Sequence, residues 1–338
     1  NIVYLIQFFF IVIIYQELGV ISMALKDDIL AELLKCDFIS GEALAEKYYI
    51  SRNGIWKIIK KLREEGYEIE AVTNKGYHLK GNINKISAGA IKSKINTYWD
   101  FEILNEVDST NNYAKELAVS GIRNNTVVIA EKQTGGKGRM GRSFFSPEGN
   151  GLYMSVLCRP DIEVSSSPLI TSYTAVAVAE AIEKLSGYNT NIKWVNDVFM
   201  KGRKICGILT EAGFDFEGGT VDYAVIGIGI NVLGTEFPEE ISNTATSIEK
   251  ETGQKLSRNE LAAEILNNLS GMSEGIKTKY YLNEYRKRSN VIGKKITVTC
   301  GKQKYEAEAV RIDDNAALEV KTEEGIKILN SGEVSIKL

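Results

Sequence analysis

The chain has 338 residues, more than one ordinary hydrophobic core accommodates, which points to two or three domains. Hydrophobic residues make up 44% and charged residues 25%, which excludes wholesale disorder and a multi-span membrane protein. The 41 basic and 44 acidic side chains leave a net charge of −3, so a protein coated in positive charge for nucleic acid is excluded, though a local basic patch is not.

Ile2 to Tyr15 is apolar apart from Gln7 and ends at Gln16 and Glu17, short of the ~20 residues a bilayer-spanning helix needs. No Lys or Arg precedes Lys26 and no A-x-A site follows, so the stretch does not read as a secretory signal. Residues 1–22 read as an upstream apolar extension that does not belong to the native protein, with a membrane anchor as the alternative, and Met23 opens the first ordinary domain.

From Met23 three helical patterns follow closely. Ile29, Leu30, Leu33 and Leu34 recur at helical spacing; Ser40 caps a second segment with Ala43, Leu44 and Ala45. After a turn at Tyr48–Ile50, Ser51 caps a third helix carrying Ile55, Trp56, Ile58, Ile59 and Leu62, which Gly66 stops. Tyr67 to Leu79 reads as two short strands around Asn74-Lys75-Gly76. Three helices and a hairpin make a winged helix-turn-helix over residues 23–81. Its third helix carries Arg52, Lys57, Lys60, Lys61 and Arg63 with no acid among them. Ser51, Arg52, Asn53, Lys57, Lys60 and Lys61 are therefore the candidate DNA contacts, the first residues at base edges and the lysines on phosphates. A protein-contact module is the plainer alternative.

Beyond a polar linker from Asn82 to Ile86, strand and helix alternate: Phe101–Val107, a helix from Thr110 to Ser120, then Thr126–Lys132. Next comes Gln133-Thr134-Gly135-Gly136-Lys137-Gly138-Arg139-Met140-Gly141-Arg142. Its glycines let the backbone approach a ligand, and its cations suit a phosphate, carboxylate or acyl phosphate. Gly136, Gly138 and Gly141 spell G-x-G-x-x-G, but Arg142–Pro147 does not open a helix, so the dinucleotide fingerprint fails. Lys137-Gly138 likewise fails as a Walker A loop. Lys193-Trp194-Val195-Asn196-Asp197-Val198, followed by Gly202–Leu209, reads as strands meeting at a functional turn, with Lys204 directed into a pocket. In Val225–Val232 glycines alternate with apolar residues, which bares one strand face for a flat ligand.

Cys36, Cys158, Cys206 and Cys300 form no C-x-x-C pair and read as reduced core residues, and His78 is the single histidine. Zinc and Ser-His-Asp chemistry are excluded on that count. After a helical stretch Asn259–Arg288 with a Leu261, Ile265, Leu266, Leu269 stripe, five short strands follow: Lys295–Cys300, Tyr305–Arg311, Ala317–Lys321, Ile326–Leu329 and Val334–Leu338. They suggest an SH3-like β-barrel that acts as a packing cap.

Taken in order, five segments resemble biotin–protein ligases: the Ser109-Thr110-Asn111 triplet, the glycine–arginine loop, K-W-x-N-D at 193–197, R-K-x-x-G-I-L at 203–209 and G-x-G-I-N at 227–231. With the winged helix in front, the chain resembles the bifunctional biotin ligase and biotin-operon repressor family. The resemblance implies a multidomain α+β protein: a winged helix-turn-helix at 23–81, a central α/β ligase domain of the class II synthetase-like biotin/lipoate ligase type at 86–290, and the SH3-like module at 291–338. It implies ATP-dependent ligation of biotin, through biotinyl-5'-adenylate, to one lysine of a biotin carboxyl carrier protein, with Mg2+ on the triphosphate. It further implies biotin-responsive repression at operator DNA, a homodimer when adenylate-bound, no membrane partner, and a cytoplasmic location.

By the same resemblance Ser109, Thr110, Asn111, Gln133, Gly136, Lys137, Arg139, Lys204 and Gly207 bind biotin. Arg139, Arg142, Phe144, Lys193, Asn196, Asp197 and Asn231 bind the nucleotide, Phe144 on adenine and Lys193 with Asn196 on the phosphate side. Lys204 and Arg139 are the catalytic residues, and Asp197 aids Mg2+. The strand holding Gly227–Val232 is expected at a sheet edge, as a surface shared by dimer and carrier protein. Departures from the pattern are Lys137 and Met140 where arginines are frequent, Val195 for a usual proline, and Phe144 for a tryptophan. Two alternatives stand beside this reading: a lipoate–protein ligase, and a ligand-sensing repressor with an inactive ligase domain.

Overall fold

A computed structural model describes residues 25–64, 67–80, 85–122, 125–215, 217–301 and 303–336. The apolar extension 1–22, the helix stop at Gly66, linker residues 82–84 and the last two residues of the final expected strand lie outside these. The chain forms two units, Asn1–Ile95 and Asn96–Leu338.

In the first unit, α1 is helical over residues 25–35, followed by α2 (Gly41–Lys47) and α3 (Arg52–Glu64). The serines expected as caps take that part: Ser40 Oγ accepts from the Ala43 N–H at 3.0 Å and Ser51 Oγ from the Gly54 N–H at 3.1 Å, satisfying donors that have no intrahelical partner. The core is built from one stripe of each helix: Ile29, Leu30 and Leu33, then Leu44, then Ile55, Ile59 and Leu62. The hairpin β1 (Ile69–Val72) and β2 (Gly76–Leu79) is antiparallel, with Asn74 and Gly76 at φ 64° and 102° in the turn. α4 (Ala88–Lys92) ends the unit. Trp56 is not in this core; half its surface is exposed.

The second unit opens with β3 (Asp100–Val107), α5 (Thr110–Val119), β4 (Thr126–Gln133) and β5 (Gly151–Cys158). There follow α6 (Ser167–Ser186), β6 (Asn191–Lys193), β7 (Asp197–Met200), β8 (Arg203–Asp215) and β9 (Thr220–Asn231). These strands make one seven-stranded sheet in the order β3-β4-β5-β9-β8-β7-β6, parallel at β3–β4 and antiparallel elsewhere. α7 (Ile248–Thr252), α8 (Arg258–Leu269), α9 (Met272–Thr278) and α10 (Leu282–Arg288) come next, and Leu261, Ile265, Leu266 and Leu269 are buried as their spacing indicates. The chain ends in β10 (Lys295–Cys300), β11 (Gln303–Ile312), β12 (Leu318–Thr322), β13 (Gly325–Leu329) and β14 (Glu333–Ile336). They form a five-stranded antiparallel sheet ordered β13-β12-β11-β10-β14.

Two expectations need correction. The Gly227–Val232 segment is not at an edge: β9 lies between β5 and β8 and hydrogen-bonds to both. A long apolar strand with bare glycines is stable there because both flanks are paired and its faces are covered. The four cysteines are free, but only Cys206 is fully buried, and Cys36 and Cys300 are exposed. No helix among the described residues is long and apolar enough to cross a membrane.

Candidate active site and nucleic-acid-binding face

In the first unit, burying Ile55, Ile59 and Leu62 turns the opposite side of α3 outward. Arg52, Asn53, Lys57, Lys60, Lys61 and Arg63 are all exposed on it. Ser51 is exposed too, although its hydroxyl caps the helix. Lys60 Nζ stands 5.8 Å from the Trp56 ring centroid, and Lys60 also approaches Glu64 at 3.8 Å. The net −3 charge of the chain thus coexists with a basic helix face whose one acid is Glu64 at its C-terminal end.

In the second unit a cleft opens over the ends of β4, β8 and β9. Ser109, Thr110, Asn111, Gln133, Lys137, Arg139, Asn196, Lys204 and Gly207 line it. The Thr110 N–H donates to Gln133 Oε1 at 2.9 Å, with the Thr110 hydroxyl 3.1 Å from the same oxygen, while Gln133 Nε2 donates to Ser146 Oγ at 2.9 Å. Lys137 donates to Asn112 Oδ1 at 2.7 Å, and Arg139 donates across the cleft to Asn196 Oδ1 at 3.1 Å. The glycine loop is folded back on itself, with Phe144 N–H donating to the Gly136 carbonyl at 2.8 Å and Gly138 N–H to the Arg142 carbonyl at 2.7 Å. Gly136 is not on the cleft wall; it is glycine because a Cβ would stand 2.5 Å from the Phe144 carbonyl oxygen. The glycine face of β9, expected to take a flat ligand, packs against the protein's own side chains: the Asn111 amide lies against Gly227, and a Cβ on Gly229 would stand 2.7 Å from the Phe144 ring.

A second cavity, about 490 Å³, adjoins the first and is lined by Arg142, Phe144, Lys193, Asp197, Lys204 and Asn231 together with Phe237, Thr244 and Glu333. The expected nucleotide set therefore divides: Arg139 and Asn196 face the first cavity, the others the second, and Phe144 and Lys204 line both. Lys204 is held on two sides. Its N–H donates to Thr244 O and its carbonyl accepts from Thr246 N–H, each at 2.9 Å, and its ammonium lies 2.8 Å from Asp197 Oδ1. Asn231 Nδ2 donates to Thr246 O at 3.0 Å, tying β9 to the same segment. Burial pushes the Lys193 ammonium below the usual lysine value; Asp197 and Glu333 oppose the shift, and Lys204 and Arg142 add to it.

Three site residues escape a reading of the sequence. Ser155 is buried under the triplet, with Oγ 2.7 Å from Thr110 Oγ1 and 2.6 Å from Asn111 Oδ1; a lone serine in the run Leu152–Cys158 is its only signal. Glu211 accepts from Asn111 and Lys115. Glu333 of the C-terminal sheet holds Arg142 through two hydrogen bonds of 2.7 Å, so this module is more than a cap. Trp194 fastens the two parts, donating from Nε1 to the Ala316 carbonyl at 2.9 Å. Among the described residues no three His, Cys, Asp or Glu groups converge as a metal cage, and Asp197 is paired with Lys204. The described side chains thus form no magnesium cage by themselves.

Residues 104–231 match the Biotin/lipoate A/B protein ligase family, residues 26–78 an HTH domain and residues 291–337 the Biotin protein ligase C terminal domain. The chain is 36% identical over 314 residues to the Bifunctional ligase/repressor BirA of Bacillus spizizenii, covering 89% of this chain and 94% of that one. It is 31% identical to BirA of Escherichia coli, covering 91% and 96%. Among solved structures, the biotin protein ligase of Aquifex aeolicus in complex with biotin and ATP superposes with a TM-score of 0.60 at 31% identity, covering 70% of this chain and 98% of that one. Likeness that runs through the helix-turn-helix, the ligase domain and the C-terminal sheet makes this chain a member of the bifunctional biotin ligase/repressor family.

Proposed function

We propose that the chain joins biotin to a lysine of a biotin carboxyl carrier protein through biotinyl-5'-adenylate, and represses transcription of biotin genes through α3. The observation that carries the ligase reading is the placement of Lys204 on the walls of two adjoining cavities. With biotin in the first and ATP in the second, the carboxylate and the α-phosphate meet at its ammonium. A carboxylate oxygen attacks the α-phosphorus and the bond to the β-phosphate bridging oxygen breaks, releasing pyrophosphate. Lys204, Lys193 and Arg142 neutralise the anions that approach and leave, and Arg139 closes the biotin side against water by reaching Asn196. The carrier lysine then attacks the acyl carbon, AMP leaves, and the amine loses a proton to give the amide. No histidine is needed by this chemistry; His78 stacks on Phe38 within the first unit.

Incubation with ATP, biotin and a carrier domain, followed by a streptavidin blot, tests the ligase reading; an unlabelled carrier overturns it. Biotin and not lipoate should support ATP–pyrophosphate exchange. Lys204→Ala should lower that exchange by roughly 10²-fold or more with the fold intact, because a preorganised cation at the reacting phosphate is lost. Wild-type exchange in the variant would remove Lys204 from the chemistry.

The repressor reading rests on the exposed cations of α3 and on the helix-turn-helix plan they belong to. Operator DNA is bound by an adenylate-loaded homodimer whose two helices meet a two-fold site, in the cytoplasm where ATP, carrier and operator are found together. Binding should weaken steeply with salt, and replacing Lys57, Lys60 or Lys61 by alanine should each reduce the log–log salt slope by about 1.

A further inference from the structure

Behind the first cavity a chain of hydrogen bonds begins at Glu211 on β8. Glu211 accepts from Asn111 Nδ2 at 2.9 Å and from Lys115 Nζ at 2.8 Å. Asn111 lines the cavity, whereas Glu211, Lys115 and Ser155 stand behind its wall. Burial raises the Glu211 carboxyl, but the hydrogen bonds of Lys115 and Asn111 and the charges of Lys115 and Lys137 lower it further, leaving it below the usual glutamate value. Both oxygens are therefore acceptors at neutral pH.

An acceptor-only partner dictates the polarity of everything that follows. The Asn111 nitrogen must face Glu211, where it also meets the Leu209 carbonyl at 3.3 Å, so the Asn111 oxygen faces the Ser155 hydroxyl at 2.6 Å. Ser155 has one proton; given to Asn111, it leaves Oγ to accept the Thr110 hydroxyl proton at 2.7 Å, so Gln133 receives only the Thr110 N–H. At the far end the Thr110 N–H can only donate, which fixes Gln133 Oε1 towards it and Gln133 Nε2 towards Ser146. Ser146 in turn donates to the Phe144 carbonyl at 3.0 Å. The wall has one donor–acceptor pattern because both ends are fixed.

We propose that Glu211 is a positioning residue for biotin: it sets the orientation of the Asn111 amide and with it the hydrogen-bond pattern that the Ser109–Asn111 wall offers the ligand. This rests on the reading of the first cavity as the biotin pocket. The cyclic urea of biotin carries one acceptor and two donors, so a wall with Asn111 reversed meets it donor to donor. A glutamine in place of Glu211 presents either an oxygen or an NH2 to Asn111 and leaves only the longer contact to the Leu209 carbonyl, at 3.3 Å, to orient it.

The test uses the full chain, with biotin-dependent ATP–pyrophosphate exchange and thermal unfolding measured for wild type, Glu211→Gln, Asn111→Asp and the double variant. Glu211→Gln should raise the KM for biotin about tenfold while the KM for ATP and the Tm stay near wild type, since one charge-assisted hydrogen bond is exchanged for an ambiguous one. Asn111→Asp faces Glu211 with a second carboxylate and should be worse. The double variant should recover to about the level of Glu211→Gln alone. In it the introduced glutamine amide donates to the introduced carboxylate, whose other oxygen still accepts from Ser155. An unchanged KM for biotin in Glu211→Gln, a rise in both KM values with a fall in Tm, or no recovery in the double variant would each overturn the proposal. Absence of biotin-dependent exchange in the wild type would instead overturn the ligase reading, so the two failures are told apart.

Discussion

Lys193 and Lys204 show how neighbouring lysines acquire different parts. Lys204 is paired with Asp197 across a cavity junction, whereas Lys193 is depressed by burial and by its cationic neighbours Lys204 and Arg142, against the pull of Asp197 and Glu333. A lysine whose pKa is lowered keeps its charge at acid and neutral pH and loses it, as pH rises, earlier than an ordinary lysine does. If Lys193 meets the phosphates, kcat/KM for ATP should fall on the alkaline side at a pH below the usual lysine range. Lys193→Arg, which cannot deprotonate there, should hold its activity further into alkali. A pH–rate profile identical in the two proteins would show that Lys193 does not titrate in the reaction.

The central strand β9 owes its composition to what lies on it. Gly227 is covered by the Asn111 amide and Gly229 by the Phe144 ring, which itself lies edge-on to Tyr153 at a centroid distance of 6.4 Å. Neither glycine has a positive φ, so space and not backbone freedom demands them. Gly227→Ala should therefore cost about 1–3 kcal/mol of stability through overpacking and displace Asn111, weakening biotin binding more than ATP binding. Denaturant unfolding and separate KM values for the two substrates measure both effects. In α3 the same logic runs outward: once Ile55, Ile59 and Leu62 fill the core, a 3.6-residue repeat leaves the cations on one side with Trp56 among them.

Across the second unit, the C-terminal sheet and the ligase sheet both line the second cavity. Glu333 grips Arg142 of the glycine loop, and the buried Trp194 donates to the Ala316 carbonyl from within the K-W-x-N-D segment. Trp194→Phe leaves that carbonyl without its donor, which should cost about 1–3 kcal/mol and lower the Tm of the unit. Because the loosened sheet carries Glu333, the KM for ATP should rise with it; an unchanged KM alongside a lowered Tm would separate the two roles.

The winged helix, the glycine loop and the Lys204 strand were all legible in the residues. Each depends on information close together along the chain: Ser40 and Ser51 before apolar repeats, glycines beside cations, a turn glycine before a lysine. The expectation of an edge strand at Gly227–Val232 failed because an apolar run buried on both faces reads the same whichever strand lies beside it. Ser155, Glu211 and Glu333 were invisible for a related reason: each acts through a partner 44 to 191 residues away, and no local pattern encodes that pairing. Residue type and order alone were enough for the family, the chemistry and most of the residues that line the two cavities. That two cavities share Lys204, that Arg139 faces one and Arg142 the other, and that the last strand lines the second came from the fold, because strand order and long-range packing are properties of the folded chain.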